Sequence, residues 1–218
     1  MSTRVRTAVL ISGRGSNMAS LLAAAASPAF PAEIVAVMSN VPDARGLDLA
    51  RAAGVEAVAI DHRRFGRDRA AHEAALHAAL EARGVRLVCL AGYMRLLTPF
   101  LVGAWEGRML NIHPSLLPAF PGLHTHARAL QAGVKIHGCT VHYVTEGMDE
   151  GPAIAQAAVP VLPDDTEEIL GARVLAQEHV LYPLALRLAA GGAAAAPLAS
   201  AALLNPDVRD LPGSGGGS

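Results

Sequence analysis

Cysteine is scarce in this 218-residue chain, which holds only Cys89 and Cys139. Both fall inside apolar, strand-like runs, and neither has the paired spacing of a zinc site or a disulfide framework, so they read as reduced thiols in a reducing cytoplasm. An excess of charge of one sign is missing as well. A net charge of -1 leaves no electrostatic footprint for embracing a nucleic-acid backbone, and no nucleic-acid partner is expected. Long apolar runs are also lacking. Met1-Ser2-Thr3-Arg4-Val5-Arg6 leads into a short apolar stretch that breaks at Ser12 and Gly13, too brief for a signal-peptide core or a membrane span. A cytoplasmic protein with no membrane partner is the expectation.

What is present is enough chain for one α/β core and too little for two comfortable ones. Apolar β-type runs at 8–11, 33–39, 56–60, 85–91, 109–113, 135–144 and 153–161 alternate, over the first half, with helical patterns at 18–26, 44–53 and 68–83. A short helix reaching Gln131 and a long one from Asp165 to about Leu188, with Glu168 placed as in a capping box, complete the pattern. Strands alternating with helices predict an α/β fold, a single-domain open, mostly parallel twisted sheet with a Rossmann-like N-terminal half. The domain is expected over residues 1–190, followed by an alanine-rich tail at 191–212 and a flexible Gly/Ser segment at 213–218.

Three strand ends carry the punctuation, and in such sheets ligands gather outside the carboxyl ends of strands. The first is Ser12-Gly13-Arg14-Gly15-Ser16-Asn17. Glycines there admit close backbone approach, and the following helix start offers free N–H groups to an anion such as a phosphate. Met18 stands where a dinucleotide loop has its third glycine, and the lysine of a P-loop is absent, so a tight structural turn is the alternative. The second is Gly92-Tyr93-Met94-Arg95. The third is Asn111-Ile112-His113-Pro114, where a period of two puts Asn111 and His113 on one strand face. Pro114 drives His113 into extended geometry and preserves that period. An amide and an imidazole pointing the same way suit a carbonyl passing through a tetrahedral anion. The plainer alternative is a turn whose polar side chains bond to nearby backbone.

Five histidines lie between 113 and 142. His124 and His126 have zinc-like local spacing, yet no third ligand has a recognisable spacing with them, and no metal is expected. His142 reads equally as a crevice residue or a satisfied core histidine.

These motifs, with Leu110-Asn111-Ile112-His113-Pro114-Ser115-Leu116-Leu117-Pro118, Pro121-Gly122-Leu123-His124-Thr125-His126 and His137-Gly138-Cys139-Thr140-Val141-His142, closely resemble the folate-dependent formyltransferase family. The Gly-Ser-Asn loop and Gln177-Glu178-His179 are similar to its phosphoribosylglycinamide branch, which acts in purine synthesis. The resemblance implies a catalytic trio of Asn111, His113 and Asp149. It implies that Gly13, Gly15, Ser16 and Asn17 hold the phosphate of glycinamide ribonucleotide, with Glu178 near the ribose. For the co-substrate 10-formyltetrahydrofolate it implies Arg69, Met94, Arg95, Leu96, Leu97, Asn111, Thr145, Glu146, Gly147, Met148 and Asp149. One extra residue before Arg69 leaves Arg67 as the alternative there. Only the resemblance selects Asp149 over the neighbouring acids Glu146 and Glu150. A carboxylate in that place favours the charged imidazole and holds its orientation, directly or through an ordered water.

The implied partners are these two small molecules, and the implied assembly is a monomer or homodimer. Related activities stay open: a formyltetrahydrofolate hydrolase would use the same trio on water, and a transferase for methionyl-tRNA would want a further domain and a basic surface. A non-catalytic nucleotide-binding module would leave Asn111 and His113 without a purpose.

Overall fold

A computed structural model describes residues 4–191. The tail expected beyond Gly191, the Gly/Ser segment and the first three residues lie outside the described residues. Seven strands form one sheet in the order β3-β2-β1-β4-β5-β6-β7. They are β1 (Val5–Ile11), β2 (Ala32–Ser39), β3 (Glu56–Ala59), β4 (Leu87–Leu90), β5 (Met109–His113), β6 (Ile136–Tyr143) and β7 (Ala153–Pro160). The first five run parallel, and β6 and β7 add two antiparallel pairings. The parallel part has the 3-2-1-4-5 order of a doubly wound nucleotide fold, so the expected α/β class and Rossmann-like half are what the chain adopts.

Helices cover both faces, which is why the central strands are apolar without alternation. β4 is buried throughout, and so are the last five residues of β1. Val9, Ile11, Cys89, Leu110 and Ile112 face α1 (Ser16–Ala25) and α6 (Glu167–Ala189), while Ala8, Leu10, Val88, Leu90 and Met109 face α3 (Arg69–Glu81) and α4 (Pro99–Ala104). The alternation along β5 therefore puts Met109, Asn111 and His113 on one side. Buried Tyr182 of α6 donates its hydroxyl proton to the carbonyls of Leu90 (3.0 Å) and Leu110 (3.2 Å), tying the helix to β4 and β5 just before the site. Among the described residues the remaining α-helices are α2 (Arg45–Ala52) and α5 (Thr125–Ala132), with one 3-10 turn at His62–Phe65. Among the described residues no helix is long and apolar enough to cross a membrane.

Three local expectations change. α1 starts at Ser16, two residues before the expected 18, because Gly15 takes a left-handed conformation (φ 77°) and turns the chain directly into the helix. The long helix begins after Thr166, whose hydroxyl accepts from Ile169 N; Asp165 instead pairs with Arg173 at 2.6 Å and accepts from Leu162 N. The third change is α4, which the sequence pattern did not reveal. Its six residues are too few for a helical period to show against an apolar background.

Candidate active site

The chemistry collects where β5 ends. In the antiparallel pairing with β6, Asn111 stands opposite His142 and His113 opposite Thr140. His142, 2 % exposed, presents Nδ1 to the Tyr143 carbonyl at 2.9 Å, and that acceptor fixes the proton on Nδ1. Its Nε2 is then a lone pair, and the Asn111 Nδ2 amide donates to it at 3.2 Å. Burial, ahead of every other influence, holds His142 below the ordinary histidine range, which keeps that lone pair available at neutral pH. His142 thus sets which end of the Asn111 amide carries the N–H groups. Its second amide proton is left for the crevice. Sequence reasoning left His142 open between a crevice residue and a core histidine, because its contact with Asn111 rests on a cross-strand register that no local spacing announces.

His113 is 5 % exposed and held on both ring nitrogens. Nε2 donates to the Phe120 carbonyl at 3.0 Å, and Nδ1 lies 3.3 Å from Asp149 Oδ2. Each ring nitrogen therefore faces an oxygen, a backbone carbonyl on one side and a carboxylate on the other. The other carboxylate oxygen of Asp149 lies 3.7 Å from His142 Nε2. Asp149 Oδ2 also accepts from Gly122 N at 2.8 Å, so one carboxylate ties the β6–β7 loop to β5 and to the loop before α5. Asp149 is left-handed (φ 58°), a conformation Asp tolerates better than most residues. The acid beside the imidazole is Asp149, contacting it directly and not through water, while Glu146 and Glu150 are exposed.

The glycine loop lies at the end of β1. Gly13 O accepts from Gly46 N at 3.0 Å, and a side chain on Gly46 would run into Ile11 and the loop backbone, so the loop rests directly on α2. Gly13 and Ser16 are exposed, Gly15 is buried, and the first turn of α1 carries no acid. Free N–H groups at such a helix start are able to receive an anion, with the helix dipole in favour. Asn17 Nδ2 donates to Glu178 Oε2 at 2.7 Å, and Asn17 Oδ1 is buried without a partner. Burial raises the Glu178 carboxyl above its usual range, with the Asn17 bond and the nearby His113 ring working against that shift. The Glu178 expected near a ribose is therefore joined to the glycine loop and close to His113.

The remaining expected contacts lie on the segment 92–97, at the start of α3 and on the β6–β7 loop. Met94, Leu96 and Met148 are 76 %, 63 % and 57 % exposed, an unusual display for large apolar side chains. Arg95 and Leu97 are half-buried, Thr145 and Glu146 exposed, and Gly147 half-buried. Arg95 bears on His72 of α3, whose ionisation its charge disfavours after burial has done so first. Arg69 opens α3 and Arg67 precedes its Asp68 cap, both exposed. His124 and His126 diverge: His124 is exposed in a left-handed conformation, while His126 turns inward to His137 at 3.2 Å. Among the described residues no group of three or more His, Cys, Asp or Glu is arranged to hold a metal ion.

The formyl transferase family model matches residues 5–186. Phosphoribosylglycinamide formyltransferase of Escherichia coli is 45% identical, over 84% of this chain and 86% of its own. The crystal structure of phosphoribosylglycinamide formyltransferase from Brucella melitensis superposes with a TM-score of 0.83 at 56% identity, covering 89% of this chain and all of that one. The trifunctional purine biosynthetic protein adenosine-3 of Drosophila melanogaster is 46% identical over 94% of this chain, which spans only 15% of that longer protein. A family match over most of the chain, joined to high identity across nearly whole relatives, makes this chain a member of the formyl transferase family.

Proposed function

We propose that the chain transfers the formyl group of 10-formyltetrahydrofolate to the amine of glycinamide ribonucleotide, giving N-formylglycinamide ribonucleotide and tetrahydrofolate for purine synthesis. The observation that carries the proposal is the meeting of Asn111, His113, His142 and Asp149 at one strand end. The enzymes of that name from Escherichia coli and Brucella melitensis, similar over nearly their whole length, support the choice of acceptor.

The neutral amine adds to the formyl carbon, and its carbonyl oxygen becomes an oxyanion. Asn111 donates its free amide proton to that oxygen. His113, as imidazolium, exchanges its bond to the Phe120 carbonyl for one to the more basic oxyanion. Collapse breaks the bond to the folate nitrogen, which takes up the proton lost by the new ammonium. Asp149 keeps His113 charged and oriented. Ser16 and the N–H groups of the first turn hold the ribotide phosphate, and the unpartnered Asn17 Oδ1 accepts from a donor on the ribotide. Binding both molecules against this frame aligns amine and formyl carbon, where much of the rate enhancement of a group transfer originates. The buried, unpaired Cys89 and Cys139 thiols support a reducing cytoplasm as its setting. The test follows an isotopically labelled formyl group from the folate. It should appear on the ribotide; label found only as free formate would instead mark a hydrolase.

A further inference from the structure

The segment 92–97 between β4 and α4 carries Met94, Arg95, Leu96 and Leu97, four of the residues proposed to hold the folate. Among the described residues its Met94 and Leu96 side chains find little cover. Its shape must therefore come from what grips its ends. At the entry, Ser12 N donates to the Gly92 carbonyl at 3.1 Å, and the Ser12 hydroxyl accepts from Met94 N at 2.8 Å. The same hydroxyl gives its own proton to Asn40 Oδ1 at 2.6 Å, so its direction is fixed and its lone pair is aimed at Met94. At the exit, Glu73 of α3 is a carboxylate only 3 % exposed. Its described hydrogen bonds both go to Thr98, one from the backbone N–H at 2.9 Å and one from the hydroxyl. Thr98 is the N-cap of α4, yet its side chain makes no capping bond within that helix. The hydroxyl is committed to Glu73 instead.

Burying a carboxylate is costly unless donors satisfy it. Here the satisfied carboxylate fixes one end of an otherwise uncovered loop, and a hydroxyl from β1's carboxyl end fixes the other. We propose that Ser12 and Glu73 are positioning residues for the formyl donor. They hold the segment 92–97 in the shape that accepts the folate, without touching it. Because Ser12 immediately precedes the glycine loop, one side chain sets the spacing between the phosphate site and the folate site. The inference rests on the reading of 92–97 as a folate-binding segment.

Steady-state kinetics on Ser12→Ala, Ser12→Thr and Glu73→Gln, with Arg95→Ala and Leu97→Ala beside them, test it. Loss of the hydroxyl's bond to Met94 N, and with it the bond to Asn40 that aims it, in Ser12→Ala should raise the folate KM about five-fold, and weakening of the two charge-assisted bonds in Glu73→Gln about ten-fold or more. The ribotide KM should move far less. Ser12→Thr keeps the hydroxyl and should hold the folate KM near that of the parent. Calorimetric titration with tetrahydrofolate should show the same order of affinities. If Glu73→Gln does not fold, Ser12→Ala and Ser12→Thr decide the matter between them. Unchanged folate KM in folded Ser12→Ala, or equal rises in both KM values, would overturn the inference. If Arg95→Ala and Leu97→Ala also leave the folate KM unchanged, the folate reading of this segment fails with it. If they raise it while the anchors do not, the anchoring role alone is refuted.

Discussion

Removing the His137 imidazole should make the protein markedly less sensitive to acid. His137 sits on β6 with 1 % of its surface exposed, its Nε2 at 3.2 Å from His126 Nδ1 and its ring edge-on to Phe120 at 5.8 Å. Burial first, and then the neighbouring His126, lower its pKa to about 4. In the unfolded chain the same ring titrates near ~6.5. As pH falls below that value the unfolded state takes up the proton first, so stability is lost with acidification and the loss levels off below the folded pKa. The cost is about 2 kcal/mol at pH 5 and about 3 kcal/mol once both states are protonated. For a domain of this size, the pH 5 value corresponds to a melting point lower by about 4–8 °C. His126 and His142, also held low chiefly by burial, act in the same direction. Glu178 acts in the opposite one, since its raised folded pKa lets the native state bind the proton first. Comparing His137→Gln with the parent isolates the single ring from these neighbours. Urea unfolding of both proteins at pH 7.5 and pH 5 should show the parent losing about 2 kcal/mol more than the variant. Parallel losses in the two proteins would refute the reasoning, whatever the variant's stability at neutral pH.

Other perturbations separate the roles within the site. Asn111→Ala and His113→Ala should each lower turnover on the order of 10²-fold or more, the effect of removing one oxyanion donor, and a folded variant with near-normal kcat would exclude that residue. His142→Ala removes only the acceptor that orients Asn111 and should cost about ten-fold or less, so a loss as deep as that of Asn111→Ala would give His142 a direct role. Asp149→Asn can keep its oxygen on Gly122 N and beside His113 while losing the charge. Its turnover should fall and partly recover as pH is lowered; a profile merely scaled down at every pH would assign Asp149 to positioning alone. Ser16→Ala and Asn17→Ala should raise the ribotide KM more than the folate KM, and equal rises would contradict the division of the crevice. Activity is expected to survive a chelator; loss on chelation with recovery on added zinc would bring the histidine cluster into metal chemistry.

The parts of this site that follow local rules were legible in the sequence. A period of two placed Asn111 and His113 on one face, and glycine punctuation after β1 located the turn into α1, because both depend on residues within a few positions of one another. What escaped depends on partners distant in the chain. His142 meets Asn111 through a register joining positions 31 apart, and Glu73 reaches Thr98 across 25. The selection of Asp149 among three loop acids needed a resemblance to known enzymes, since only the fold shows which carboxylate turns inward. The bonds of His113 to Phe120 O and of Gly122 N to Asp149 likewise arise from loops whose paths spacing does not encode. The short helix α4 was hidden for a different reason, having too few residues to display a period.

The most direct measurement is the release of tetrahydrofolate from 10-formyltetrahydrofolate by the purified protein, with and without glycinamide ribonucleotide. If the glycine loop and the β5 strand end serve one transfer reaction, release should require the ribotide and match formyl-ribotide formation mole for mole. Release at the same rate without ribotide, or none with both substrates present, would contradict the account.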